Sequence, residues 1–339
     1  MKVLITGGTG FVGSHLVPYL LNKGFKCRLL TRDMSAARKR YPKGIEIFQG
    51  DLIDPDSLNG LMKGITHVIH MAAFGHVSAI SEEAYYNFVN VNVYGTKNLL
   101  RACVKEKIER FVHFSSTAAM GLIRKNGPVN EDDLPVPRTP YQKSKLESEQ
   151  VALKTGRELG IPVVVLRPCM IYGKGENTEF QKMAILMRKS LFPKVGRGQN
   201  LTPLVHAYDV VQAALAAMQH GQPGEVYLIA SNKSLPMDEL RAMVMEAWDS
   251  RAFYPYFPVW FMLFLAWGIE LFAKMTGSTP IVTRSNISNT IWDREFSIKK
   301  ACSELGYEPS ISFADGINET VDWYRKLLFC HSVSKLNLG

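Results

Sequence analysis

Cysteine is scarce in this chain of 339 residues. The five present, Cys27, Cys103, Cys169, Cys302 and Cys330, form no C-x-x-C pair and keep no regular spacing. That argues against a zinc ribbon or a disulfide framework, so no metal site is expected and a reducing compartment is. No basic segment with an apolar core precedes the first strand-like run, which begins at residue 2, and a cytoplasmic location is expected. Clustered basic charge is also missing. The net charge of +9 is spread along the chain apart from Arg38-Lys39-Arg40, which reads as a solvated helix face, so no nucleic-acid partner is expected. With 46% hydrophobic residues the chain has material for a large core, in one large domain or two unequal ones.

What is present first is glycine in a particular setting. Gly7, Gly10 and Gly13 form a G-x-x-G-x-x-G triplet directly behind the apolar run Val3-Leu4-Ile5 and ahead of the amphipathic Phe11-Val12-His15-Leu16-Tyr19-Leu20. This is a strand, a tight turn and a helix start. Gly7 lets the chain leave the strand, Gly10 removes a side chain where a pyrophosphate must approach, and Gly13 lets the following helix pack close to the sheet. Free N–H groups at the helix N-terminus then face the phosphates.

The following runs alternate strand and helix. A second strand ends at Arg32-Asp33, where a dinucleotide fold meets the adenosine ribose: a guanidinium there suits the 2′-phosphate of NADP and a carboxylate the hydroxyls of NAD. Arg32 comes first and Arg28, Arg38 and Lys39 could add charge, so NADP is favoured, while Asp33 keeps NAD open. A third strand delivers Gly50-Asp51-Leu52, with Asp51 read either as an adenine ligand or as a turn and helix cap. A fourth runs into the small pair Ala72-Ala73. From Glu82 to Lys105 a helical pattern places Asn92 and Gly95 on its inner side, and a buried asparagine there needs partners.

A fifth strand, Arg110 to Phe114, ends in Ser115-Ser116-Thr117, and after a loop rich in proline and acids a long helix opens at Tyr141-Gln142-Lys143-Ser144-Lys145. Tyr141 and Lys145 are one turn apart and share a face. Hydride transfer at a carbonyl needs a proton donor or acceptor at the oxygen. Tyrosine, with a pKa near ~10, does this poorly unless a neighbouring ammonium stabilises its anion. A serine hydroxyl on the adjacent strand end would orient the substrate oxygen.

In this order the motifs resemble the extended short-chain dehydrogenase/reductase superfamily (NAD-dependent epimerase/dehydratase family) over nearly the whole chain. They comprise Thr6 to Gly13, Gly50-Asp51-Leu52, Ala72-Ala73, Asn92 to Thr96, Ser115-Ser116, Tyr141 with Lys145, Arg167 to Gly173 and Val205 to Val210. The resemblance implies an enzyme using NAD(P) with Tyr141 as acid–base group, Lys145 as its modulator and ribose ligand, Ser116 as oxygen-orienting donor and Asn92 in support. Ser115 and Thr117 are neighbours that could be confused with Ser116. It further implies a cofactor lining of Gly7, Thr9, Gly10, Phe11, Val12, Gly13, Arg32, Asp51, Leu52, Ala72, Ala73, Tyr141, Lys145 and Pro168. Gln142 departs from the small residue that many members carry after the tyrosine.

Ala252 to Ile269 has no charged side chain. Pro255 and Pro258 leave Val259 to Ile269 as clean helix, closed by Glu270 and Lys274, which is short for a membrane span. Three readings stay open: a helix over the substrate cleft, a peripheral membrane contact through Val259–Ile269, and a homodimer surface. This segment and the ending with Leu305-Gly306-Tyr307-Glu308-Pro309 look like the 3-beta-hydroxysteroid dehydrogenase and dihydroflavonol reductase branch. The expected fold is α/β: a doubly wound parallel Rossmann sheet over residues 1–170, with a smaller discontinuous substrate lobe over 171–330 from which about 200–230 returns to the sheet. The expected activity interconverts an alcohol and a ketone on a bulky, largely apolar small molecule. The alternative is a nucleotide-sugar 4-epimerase or dehydratase using bound NAD, with Arg188, Lys194 and Arg197 available to a diphosphate.

Overall fold

Apolar runs of four to six residues become parallel strands because their side chains are covered on both faces. The computed structural model describes residues 1–41, 43–75, 82–123, 125–251, 254–278, 280 and 282–336. Of the apolar segment, 252 and 253 therefore lie outside the described residues. The chain folds as two units, Met1–Cys169 with Ala207–Ala230 and Phe296–Ser310, and Met170–His206 with Ser231–Glu295 and Ile311–Gly339.

In the first unit, strands β1 (Lys2–Thr6), β2 (Lys26–Thr31), β3 (Ile45–Gln49), β4 (His67–His70), β5 (Arg110–Phe114), β6 (Val163–Pro168) and β7 (Val226–Ile229) form one parallel sheet. Its order is β7-β6-β5-β4-β1-β2-β3, so the chain reverses direction across the sheet between β1 and β4. In such a sheet ligands bind beyond the carboxyl ends of the strands at that reversal. Val3, Leu4 and Ile5 in β1 are completely buried, as are Val68 and Ile69 in β4.

Helices α1 (Phe11–Asn22), α2 (Met34–Arg40), α3 (Glu82–Phe88), α4 (Gly95–Ala102) and α5 (Pro140–Leu159) complete this half of the chain. Between α3 and α4 the helix widens into a π-helical segment, Val89–Tyr94, which carries Asn92. A buried ion pair joins α5 to β6: the Arg167 guanidinium donates to both carboxylate oxygens of Glu149 at 2.9 and 2.5 Å.

The second unit contains α6 (Glu179–Arg188) before the chain returns to the first unit at α7 (Ala207–His220). It continues with α8 (Met237–Ala247), α9 (Val259–Thr276), α10 (Arg284–Ile291) and α11 (Phe313–Leu336). Its core gathers Tyr172, Phe180, Leu240, Trp248, Ile317 and Tyr324.

The return to the sheet therefore begins at Ala207, and a further stretch, Phe296–Ser310, belongs to the first unit although the sequence reading assigned it to the substrate lobe. Long-range contacts hold this stretch there, with Ala301, Leu305 and Tyr307 buried. Buried Asp209 accepts from the backbone N–H of Ser310 at 2.9 Å, and Tyr307 donates to the carbonyl of Ala230 at 3.0 Å.

Helix α9 also departs from expectation: it runs through Glu270 and Lys274 and stops only at Gly277, which caps it at φ +67°. Glu270 is tolerated because Arg284 neutralises it at 2.7 Å.

Candidate active site

The turn after β1 is built by backbone approach. Gly7 has φ +71°, and a Cβ there would lie 2.7 Å from the backbone nitrogen of Ala72. A Cβ on Gly13 would fall 2.4 Å from the backbone of Gly8, so this glycine seats the helix on the loop itself rather than on the sheet. Among the described residues, a Cβ on Gly10 would meet the Gly7 carbonyl, at 3.2 Å, and no side chain caps α1. The helix therefore offers its first N–H groups on an open, side-chain-free face, which fits a pyrophosphate. Thr9 belongs to this turn, and Phe11 and Val12 are the first two residues of α1. Sequence reasoning missed two supports. Gly8 lies where a Cβ would strike Leu29 at 2.4 Å, and buried Tyr41 donates its hydroxyl to the Gly8 carbonyl at 2.8 Å.

Around the ribose position the cations sort themselves. Arg32 follows β2 and is exposed, whereas the Asp33 carboxylate caps α2 by accepting from Ala36 N–H at 2.9 Å. Arg28 cannot add charge there: it is buried, donates to the Leu61 carbonyl and pairs with Glu46 at 2.7 Å. Arg40 donates to the Thr9 carbonyl at 3.2 Å, bringing a guanidinium to the glycine turn.

Asp51 holds its own turn, accepting from Ile53 N–H at 3.2 Å. The Leu52 side chain packs in the core, so only its backbone remains for a ligand. Ala73 is exposed after β4, with Ala72 half-buried beside it, and Pro168 is buried at the end of β6.

Tyr141, Ser116 and Lys145 converge in the first unit. Pro140 begins α5 and Thr139 caps it, with Gln142 completing a reciprocal capping box. The Gln142 side chain accepts from the N–H groups of Arg138 at 2.8 Å and Thr139 at 3.1 Å, which accounts for a long polar residue beside the tyrosine. The Tyr141 and Ser116 hydroxyls are hydrogen-bonded. Ser116 also accepts from Ala118 N–H at 3.1 Å, fixing its rotamer, while Ser115 is buried.

Burial pushes the Tyr141 phenol up to about 12, and the Ser116 hydrogen bond pulls against that. Burial brings the Lys145 ammonium down to about 8 against a smaller opposing pull from Glu149, and its Nζ donates to the Phe114 carbonyl at 3.3 Å. The Tyr141 ring packs on Phe88, with centroids 5.7 Å apart, and against Gly75, where a Cβ would approach the ring to 3.3 Å.

Asn92 is 2% exposed and clamps a loop. Its side chain accepts from Phe74 N–H at 2.7 Å, donates to the Phe74 carbonyl at 3.0 Å and donates to Ser144 at 3.2 Å. Ser144 in turn donates to the Tyr141 carbonyl at 2.9 Å. His70 extends the network. Its ring nitrogens meet Thr6 at 2.6 Å and Thr96 at 2.9 Å, and burial first, then the Lys145 charge, holds it neutral at about 3. Asn92→Leu is expected to strand the Phe74 backbone and cost roughly 2–4 kcal/mol, read as a lower urea midpoint with unchanged slope. A loss below ~0.5 kcal/mol would show that the clamp carries little stability.

The fold and this site define a nicotinamide-dependent enzyme of the extended short-chain dehydrogenase/reductase type. Residues 3–230 match the model of the NAD dependent epimerase/dehydratase family, and the chain belongs to that family. It is 31% identical to a dTDP-glucose 4,6-dehydratase of Actinoplanes sp., over 96% of this chain and 98% of that one. It is 28% identical to a 3 beta-hydroxysteroid dehydrogenase/Delta 5-->4-isomerase of Mycobacterium tuberculosis, over 96% and 91%. Among solved structures it is similar to DesIV, a dTDP-glucose 4,6-dehydratase from Streptomyces venezuelae with NAD and TYD bound. That match has a TM-score of 0.75 at 27% identity and covers 96% of this chain and 97% of that one.

Proposed function

We propose that the protein interconverts an alcohol and a ketone on a bulky, largely apolar substrate, with the second unit supplying most substrate contacts. The observation that carries the chemistry is the hydrogen-bonded Tyr141–Ser116 pair with the Lys145 ammonium buried one helical turn away. Bound nicotinamide supplies or accepts the hydride. In the reducing direction Tyr141 gives its proton to the carbonyl oxygen while Ser116 donates to the same atom. In the oxidising direction Tyr141 takes the proton back. Lys145 stabilises the tyrosinate so formed and holds the ribose. In this reading the cofactor turn is Gly7 to Gly13, and NADP is preferred: exposed Arg32, Arg40 at the glycine turn and the engagement of Asp33 in its cap support a 2′-phosphate there.

The substrate class is supported by the cations of the second unit. Lys194 pairs with Asp238 at 2.5 Å, and the Arg188 guanidinium stacks 4.6 Å from the Trp248 ring centre. A sugar diphosphate using either would have to displace these contacts. A dehydratase would also need an acid and a base to eliminate water, and Thr117 to Met120, directly after Ser116, carries no carboxylate.

One observation favours the second reading, a nucleotide-sugar epimerase or dehydratase. A cavity of about 290 Å³ is lined by Arg197, Gln199, Asn200 and Asp293. Nicotinamide absorbance decides between them. Net oxidation of NADPH with a ketone of sterol or flavonol type is expected, with NADPH titrating more tightly than NADH. Turnover of a nucleotide sugar with no net absorbance change would overturn the reading.

A further inference from the structure

Helix α9 is apolar on two sides. Its inner stripe, Met262, Ala266 and Ala273, is buried, with Met262 and Ala266 in a small core with Val195 and Ile287. Its outer stripe repeats Trp260, Phe264, Trp267, Leu271 and Met275 at helical spacing. Trp260 is 70% exposed, Phe264 64%, Met275 78%, and the adjoining Phe272 66%. A helix that packs on one face only normally turns charge outward, and this one turns out two tryptophans and two phenylalanines. The 18-residue helix has a mean hydropathy of 1.4, and of its residues Met262, Ala266 and Ala273 are buried.

We infer that the outer face of α9 docks on an anionic phospholipid bilayer, lying in its interface. Charge and aromatic content select this occupant. The acid on the helix, Glu270, is neutralised by Arg284, while Arg251 before the helix and Lys274 within it are exposed cations. On a chain of net charge +9 these face anionic headgroups. Tryptophan is the side chain suited to the headgroup boundary, with an apolar ring and one N–H donor. The inner stripe excludes a span, because a helix already packed along one side onto its own unit can dip only its other side into acyl chains. At about 1.5 Å per residue, the stripe from Trp260 to Met275 extends roughly 22 Å in the membrane plane. The inference stands apart from the choice of substrate.

The test is flotation of the purified full-length protein with phosphatidylcholine vesicles, with and without phosphatidylserine. It is run beside a variant combining Trp260→Gln, Phe264→Gln and Trp267→Gln, whose fold is checked by NADPH binding. Wild type is expected to float with the serine-containing vesicles, and the variant to partition on the order of a hundredfold less. Brominated lipids are expected to quench wild-type tryptophan fluorescence, a readout that needs no variant. Equal flotation of both proteins, or none with wild type and no quenching, overturns the inference. So does wild type that sediments as a dimer abolished in the variant without floating, since a second copy would then cover the face. Retention of wild type through alkaline carbonate extraction would mean a span and overturns it too.

Discussion

Tyr141→Phe is expected to lower turnover by roughly three to four orders of magnitude while leaving NADPH affinity and folding nearly unchanged. The phenyl ring keeps its packing on Phe88 and Gly75, so the site retains its shape. Only the hydroxyl goes, and with it the group proposed to donate the proton at the substrate oxygen. Ser116 keeps its bond from Ala118 N–H and remains oriented, so the residual rate reports what serine and hydride positioning achieve alone. The stability cost is that of one buried hydrogen bond, about 1 kcal/mol. Single-turnover kinetics with prebound NADPH isolates the chemical step. A loss smaller than about tenfold would remove Tyr141 from the mechanism.

Lys145→Met has two opposed effects. Turnover is expected to fall by about a thousandfold, because in the proposed mechanism the tyrosinate would lose its counter-charge and the ribose a ligand. The fold, however, is expected to gain stability. Burial lowers the lysine from its ordinary 10.5 to about 8. At about 1.4 kcal/mol per pKa unit, keeping that ammonium in the core costs on the order of 3 kcal/mol at neutral pH. Methionine fills similar space without charge. Glu149 is not orphaned, because Arg167 still donates to both its oxygens.

The sign of the pH dependence follows. Below about pH 8 both folded and unfolded chains hold the lysine proton and the cost is fully present. Between 8 and 10.5 the unfolded chain binds more protons, so wild-type stability from this group rises with pH. Tyr141 acts oppositely only above 10, where the folded chain holds the phenol proton longer. Urea midpoints of wild type and Lys145→Met should therefore converge from pH 8 to 10. Parallel midpoints across that window would mean that Lys145 is not held below its ordinary value.

Such a trade of stability for chemistry is consistent with the rest of the site. The neutral His70 below it and the π-helical turn bearing Asn92 each place polar groups in a buried region. Each is tolerated because its partners are supplied, with both ring nitrogens of His70 and both ends of the Asn92 amide engaged. π-Helical turns cluster at functional positions because they re-aim a side chain at a cost to the helix. Here the re-aimed group is the amide that grips Phe74.

What the sequence alone determined is whatever is written within a turn or a strand. The glycine spacing requires the positive φ at Gly7 and the open face at Gly10. The apolar runs require buried parallel strands, and four residues from Tyr141 to Lys145 bring both onto one helical face. These depend on backbone geometry and periodicity over a few residues, which neighbours in sequence decide.

Tertiary structure decided the rest. It brought Ser116 rather than Ser115 to Tyr141 and withdrew Arg28 into the sheet. It returned Phe296–Ser310 to the first unit and left the outer face of α9 exposed. Several of these rest on partners far along the chain, such as Arg28 with Leu61 or Asp209 with Ser310. Only the order in which strands assemble brings such groups within hydrogen-bond reach, and no local pattern of residue types encodes that order.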